Sequence, residues 1–148
     1  LKGNIYNPRN KEIKCIVEGK ARGNLIGGNL SIICSSLGTE NEIDTRNKIL
    51  FIEEIGEEPY KVDRMLLQLV QAGKINDCAG IIFGYFSSCE PSNPNQSLTI
   101  SEVIKELIKP CGKPIIAGVA CGHSLPSLTL PMGVEVVIDS KNKNIKII

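Results

Sequence analysis

Two carboxylates and one imidazole are the groups in this sequence best placed to do chemistry. Glu53 and Glu54 stand side by side directly after four consecutive apolar residues, Ile49 to Ile52. An apolar run of that kind, rich in Ile and Phe, predicts a strand buried on both faces. Open α/β sheets place their ligand sites beyond the carboxyl ends of such strands. Neighbouring strand residues point to opposite faces, so at most one of the two glutamates faces a given site. A carboxylate there can act as general base, or orient and charge-stabilise a histidine; a solvated strand end is the bland alternative. The sole histidine, His123, lies in Cys121-Gly-His-Ser-Leu-Pro126, just after another apolar stretch. A lone histidine is more often structural than catalytic, but Gly118 and Gly122 let the backbone turn sharply and expose this ring. Both positions follow expected parallel strands, so acid and base can converge.

An attacking group is missing from this set. Ser35, Ser36, Ser87, Ser88 and Ser124 are present, yet none sits in a Gly-x-Ser-x-Gly elbow. Gly19 to Gly28 matches neither Gly-x-Gly-x-x-Gly nor a P-loop, so no phosphate cradle is expected. The six cysteines form no Cys-x-x-Cys pair and have one histidine to help them. Neither a metal site nor a cofactor is therefore expected, and reduced thiols in a cytoplasmic protein are.

The elements that must position Glu53 and His123 can be read from periodicity. Glu58-Pro59 fits a helix start, and Val62, Met65, Leu66, Leu69 and Val70 follow the spacing of one buried helical face. Gly73 stands where a left-handed residue would end that helix. Ala79 to Phe86 predicts a second buried strand, followed by a loop over Ser87 to Ser97. Thr99 and Glu102 form a capping box for a helix whose buried face is Ile100, Val103, Ile104, Leu107 and Ile108. Pro114 to Val119 is the third strand. Strand, helix, strand, helix, strand implies two right-handed crossovers and a small parallel βαβαβ centre. Ile13 to Val17 and Asn29 to Cys34 read as further strands, and Val134 to Ile138 with Asn144 to Ile148 as a closing hairpin. Two adjacent glycines, Gly27 and Gly28, suggest a turn or a close backbone approach. Residues 1–12 read as a linker. The fold class is α/β, with β-rich ends around a parallel centre.

Composition sets the outer bounds. At 148 residues the chain makes one domain, with 42% hydrophobic and 22% charged residues. A net charge of +1 with no basic cluster points away from nucleic acid and anionic membranes. No apolar run approaches the ~20 residues needed to span a bilayer, and no signal peptide is visible. The first residues are Leu1-Lys2-Gly3 rather than Met, as expected of a fragment or processed product.

Four stretches together resemble the C-terminal domain of bacterial LD-carboxypeptidases, the muropeptide-recycling serine peptidases. They are Gly27-Gly-Asn-Leu-Ser31, Leu50 to Arg64 with its Phe-Ile-Glu-Glu-Ile-Gly core, Gly80-Ile-Ile-Phe-Gly-Tyr-Phe86, and Gly122-His123 followed by Leu130-Pro-Met-Gly133. The resemblance runs in order from about Glu18 to the C-terminus. It implies a swivelling β/β/α domain, and a Ser-Glu-His triad in which Glu53, the first of the acidic pair, orients His123 as general base and then acid. The serine and the oxyanion donors of that family belong to an N-terminal nucleophile domain that these residues do not contain. It further implies murein tetrapeptides as substrate, with release of terminal D-alanine, and a homodimer. Asn29 is implied as a weaker pocket-lining position. A sister branch, the microcin immunity relatives, cleaves microcin-type peptidyl nucleotides; Gly56-Glu-Glu-Pro-Tyr60 resembles the carboxypeptidase branch more. Outside this family, a histidine phosphocarrier built on His123 and a non-catalytic binding or dimerisation module are the alternatives.

Overall fold

Residues 2–148 are described by a computed structural model. The chain forms β1 (Gly3–Ile5), β2 (Lys14–Val17), β3 (Lys20–Asn29), α1 (Leu30–Ser35), β4 (Ile49–Ile55), α2 (Pro59–Gln71), α3 (Lys74–Asp77), β5 (Gly80–Ser87), α4 (Ile100–Val103), β6 (Ile115–Ala117), β7 (Glu135–Asp139) and β8 (Asn144–Ile147). They assemble into one mixed sheet in the order β1-β8-β7-β3-β4-β5-β6-β2. β3, β4, β5 and β6 run parallel, and the flanking pairs are antiparallel. The fold is α/β, as expected, but its parallel centre has four strands rather than three.

The added strand is β3, and glycine hid it. Its ten residues include Gly23, Gly27 and Gly28, a content that argues locally against strand. Two of these glycines stand where the neighbouring backbone comes too close for side chains. A Cβ at Gly27 would lie 1.9 Å from the carbonyl oxygen of Phe51, and one at Gly23 would lie 2.5 Å from that of Asn47. The expected close backbone approach at Gly27 is thus what the structure shows.

Asn29 to Cys34, expected as a strand, is mostly helix instead. Asn29 ends β3 and caps α1, accepting a hydrogen bond from the Ile32 amide through its side chain. The β-branched Ile32 and Ile33 favour strand, but the tertiary partners of the first turn override that preference. The opening residues also differ from a linker. Gly3–Ile5 pairs with Ile145–Ile147, and the Asn7 side chain bonds the backbone at Gly118 and Ala120. Those contacts join residues more than a hundred positions apart, which local composition cannot reveal.

Helix α2 buries Pro59, Val62, Leu66 and Leu69 along the expected stripe, and Gly73 takes a left-handed conformation after it. The capping box of Thr99 and Glu102 starts α4, which continues through a wide π turn over Ile104–Ile108. These helices and α1 cover one face of the parallel strands, packing on Leu50, Ile52, Ile81, Phe83 and Ile115. The opposite face carries Ile49, Phe51, Ile82 and Ile116, which pack against Val136, Ile138, Ile145 and Ile147 of the antiparallel strands. The result is a β layer, a second β layer and a helical layer. Strand β4 is completely buried between them up to Glu54, and alternation sends Glu53 to the inter-sheet side and Glu54 to the helical side.

Candidate active site

Where β4 leaves its apolar run, the two glutamates find opposite surroundings. Glu54 is 2% exposed and wholly committed to its neighbours. It accepts hydrogen bonds from Asn29 Nδ2 at 2.7 Å, from the Ser31 amide at 2.8 Å and hydroxyl at 2.6 Å, and from the Ile55 amide at 2.9 Å. Burial pushes its carboxyl up, but the bonds from Ser31, Ile55 and Asn29 outweigh that and hold it below the ordinary glutamate range. Such a group fastens α1 to β4 and has no lone pair left for a reactant.

Glu53 is also buried, but it has a different partner. Its Oε2 lies 2.8 Å from Nδ1 of His123. An ionised carboxylate only accepts, so Nδ1 is the donor in this contact, and in the neutral ring Nε2 is then the acceptor. The glutamate side chain is 6% exposed and the histidine side chain 50%, so the pair runs from the sheet interior to the surface. No other protein group among the described residues hydrogen-bonds the ring.

The loop after β6 carries His123 to this position, and glycines permit the approach. Gly122 has φ of 133°, and a Cβ there would stand 2.8 Å from Glu53 Oε2 and 3.2 Å from Tyr85 Cβ. Gly84 allows the Cys121 carbonyl to rest on β5, where a Cβ would come within 2.5 Å of it. That carbonyl accepts from the Tyr85 amide at 2.8 Å. Burial, and then the Glu53 carboxylate, push the adjacent Cys121 thiol up, so it stays protonated and does not compete for the histidine. Gly122→Ala is expected to lower stability by about 1–2 kcal/mol, through its positive φ and the collision with the carboxylate. It should also break the Glu53–His123 bond, seen as a changed imidazole nitrogen spectrum of the only histidine; an unchanged spectrum would contradict this account.

Four of the serines weighed as nucleophiles are engaged in other hydrogen bonds. Ser87 and Ser124 bond one another at 2.5 Å, and Ser35 and Ser36 donate to carbonyls within α1. Ser88 lies in the turn after β5 with φ of 52°. Asn29 is the register partner of Glu53 across β3 and β4, but its side chain is engaged with Glu54 and the Ile32 amide. The pairing of Ser87 with Ser124 was not visible in sequence, because it joins a strand end to a loop 37 residues away. Among the described residues, no group of three or more His, Cys, Asp or Glu side chains is arranged to hold a metal ion. All six cysteines are free thiols, and no described helix is long and apolar enough to cross a membrane.

A buried carboxylate bonded to one nitrogen of a half-exposed imidazole is an arrangement that can do acid–base work. Comparison with known proteins bears on what that work is. Residues 22–138 match the family model described as LD-carboxypeptidase C-terminal domain. The chain is 46% identical over 128 residues to the "Probable murein peptide carboxypeptidase" of Bacillus subtilis, covering 86% of this chain and 40% of that protein. It is 34% identical to the microcin C7 self-immunity protein MccF of Escherichia coli, over 87% of this chain and 37% of the relative. Among solved structures, the muramoyltetrapeptide carboxypeptidase of Oxalobacter formigenes superposes with a TM-score of 0.81 at 28% identity, over 99% of this chain and 49% of that one. Wild-type MccF gives the same TM-score at 31% identity, over 97% and 43%. The chain thus spans about two-fifths of the length of the curated relatives it matches.

Proposed function

This chain belongs to the LD-carboxypeptidase C-terminal domain family, and on that premise we propose that it supplies Glu53 and His123 to a Ser-Glu-His peptidase. Its serine and oxyanion donors reside on a separate N-terminal domain. The observation that carries this reading is the 2.8 Å contact between Glu53 and His123 at the carboxyl edge of the parallel strands, with Nε2 facing outward. In the proposed reaction, Nε2 takes the proton of the serine hydroxyl as its oxygen attacks the peptide carbonyl carbon. The same nitrogen then returns that proton to the departing amine of D-alanine, and water regenerates the serine by the reverse sequence. Glu53 holds the Nδ1–H tautomer and stabilises the imidazolium throughout. Asn29, the register partner of Glu53, belongs to this proposal as a weaker pocket-lining position.

Similarity to a murein peptide carboxypeptidase supports a murein tetrapeptide as substrate, with the bond before its terminal D-alanine as the one cleaved. The equal structural likeness to MccF supports a second reading, in which a microcin-type peptidyl nucleotide is cleaved by the same groups. A phosphocarrier is not favoured, since no Arg or Lys among the described residues bonds the Glu53–His123 pair to hold a phosphoryl group. A cytoplasmic homodimer belongs to this proposal as well, and six free thiols suit a reducing compartment.

The test joins the chain to the serine-bearing N-terminal portion of the Bacillus subtilis relative. The chain alone is expected to release no D-alanine from tetrapeptide, and the joined protein to release it. Hydrolysis by the chain alone would overturn the assignment. Turnover of a peptidyl nucleotide in preference to tetrapeptide would select the second reading.

A further inference from the structure

A half-exposed imidazole on an irregular loop has little packing to hold it, and one carboxylate fixes only one end of it. The end of β5 supplies further anchors. Between Ile52–Phe83 and Glu54–Phe86 the register of β4 and β5 slips by one, which places Gly84 and Tyr85 opposite Glu53. A one-residue bulge reverses which side chains face which layer. Phe83 and Phe86 accordingly both pack toward the helices, whereas Ile82 faces the inter-sheet core. Tyr85 and Ser87 are thereby turned to the side of Glu53 and His123. Tyr85 donates from its hydroxyl to the Pro126 carbonyl at 2.7 Å and from its amide to the Cys121 carbonyl at 2.8 Å. Ser87 meets Ser124, the residue after the histidine, hydroxyl to hydroxyl at 2.5 Å.

We propose that Ser87 and Ser124, assisted by Tyr85, are positioning residues that set His123 against Glu53. The inference rests on the reading of Glu53 and His123 as a working pair, and deepens it. The loop is held before the histidine at Cys121 and after it at Ser124 and Pro126, so the ring is suspended between fixed points. None of these three residues touches a reactant. They act by fixing the ring where Nδ1 can donate only to Glu53, which keeps Nε2 free of a proton. The bulge is the device that makes this possible, because an unbroken strand would aim Tyr85 and Ser87 at the helices.

The sole histidine makes the test direct. In untagged chain labelled with ¹⁵N, the imidazole nitrogens of His123 report which of them carries the proton. The native chain is expected to show the Nδ1–H form. Ser87→Ala and Ser124→Ala are each expected to lower the ratio of Nδ1–H to Nε2–H on the order of tenfold, the effect of loosening one charge-assisted hydrogen bond. The double variant should do no more than either single one, because the two hydroxyls serve one contact. If either serine variant fails to fold, Tyr85→Phe removes from β5 the single hydroxyl that holds the same loop at Pro126 and should lower the ratio in the same direction. Melting temperatures, measured alongside, separate a tilted ring from a loosened fold. An Nδ1–H form in the native chain that persists unchanged in all the variants would overturn the positioning role while leaving the pair intact. A native chain without that form would overturn the pair and, with it, this inference.

Discussion

Glu53→Gln is expected to lower kcat for tetrapeptide hydrolysis about 10⁴-fold in the complete enzyme, the size of effect when the orienting carboxylate of a triad becomes an amide. The cause lies in hydrogen-bond chemistry. Oε2 of Glu53 accepts from Nδ1 of His123 at 2.8 Å. An amide in its place can present either an oxygen or an NH₂ group, and the NH₂ group donates to Nδ1. That exchange moves the ring proton to Nε2, where it blocks acceptance of the serine proton. His123→Ala removes the base itself and is expected to cost about 10⁶-fold. Because the groups act as a unit, the double variant should be no slower than His123→Ala alone. KM should change little in all three, since neither group is asked to bind the substrate. The measurement is D-alanine release at saturating tetrapeptide, using the chain joined to a serine-bearing domain. Glu53→Gln with kcat within about tenfold of the parent would sink the assignment. Glu54→Gln, whose side chain faces the helices, should retain most of the turnover, which tells the two acidic neighbours apart.

The parts of the fold that sequence revealed are those whose signals are local. The apolar run before Glu53 marked β4, because a strand covered on both faces needs no polar alternation. Val62, Leu66 and Leu69 marked the buried stripe of α2 through their spacing alone. Thr99 and Glu102 announced a helix start by reciprocal capping, and both bonds are present. The pairing of Glu53 with His123 could be anticipated too, because parallel strands bring their carboxyl ends to one edge.

What stayed hidden depends on partners distant in the chain. The glycines of β3 look like breakers until the carbonyl of Phe51 is seen pressing on Gly27. Ile32 and Ile33 favour strand, and the carboxylate of Glu54, 23 residues beyond Ser31, joins the Asn29 cap in making a helix the better choice there. The short strand Gly3–Ile5 has no apolar run of its own and is recruited by the last strand of the sheet. The bulge in β5 leaves no mark beyond Gly84, yet it decides which side chains reach the histidine loop.

That carboxylate carries the second large effect. Glu54→Ala is expected to destabilise the domain by about 2–4 kcal/mol, since several inward-facing donors lose one acceptor together. Asn29 Nδ2, the Ser31 amide and the Ser31 hydroxyl would be left facing an apolar methyl group. The loss falls where α1 begins, so α1 should be the first element to fray. Glu54→Gln is the sharper variant, because it keeps the shape and removes the charge. The native carboxyl is held below its ordinary range, with the bonds from Ser31, Ile55 and Asn29 outweighing the opposing effect of burial. A depressed folded value means that the unfolded chain takes up the proton first as pH falls. The stabilisation from Glu54 is therefore complete above the unfolded glutamate value of about 4.3, and is lost as pH falls from there through the lower folded value. Urea unfolding of both proteins between neutral pH and mild acid tests this. The gap between the parent and Glu54→Gln should be widest near neutrality and narrow steadily below the unfolded value. A gap that stays constant with pH would mean that the charge of Glu54 contributes nothing, and that its hydrogen bonds act as neutral contacts alone.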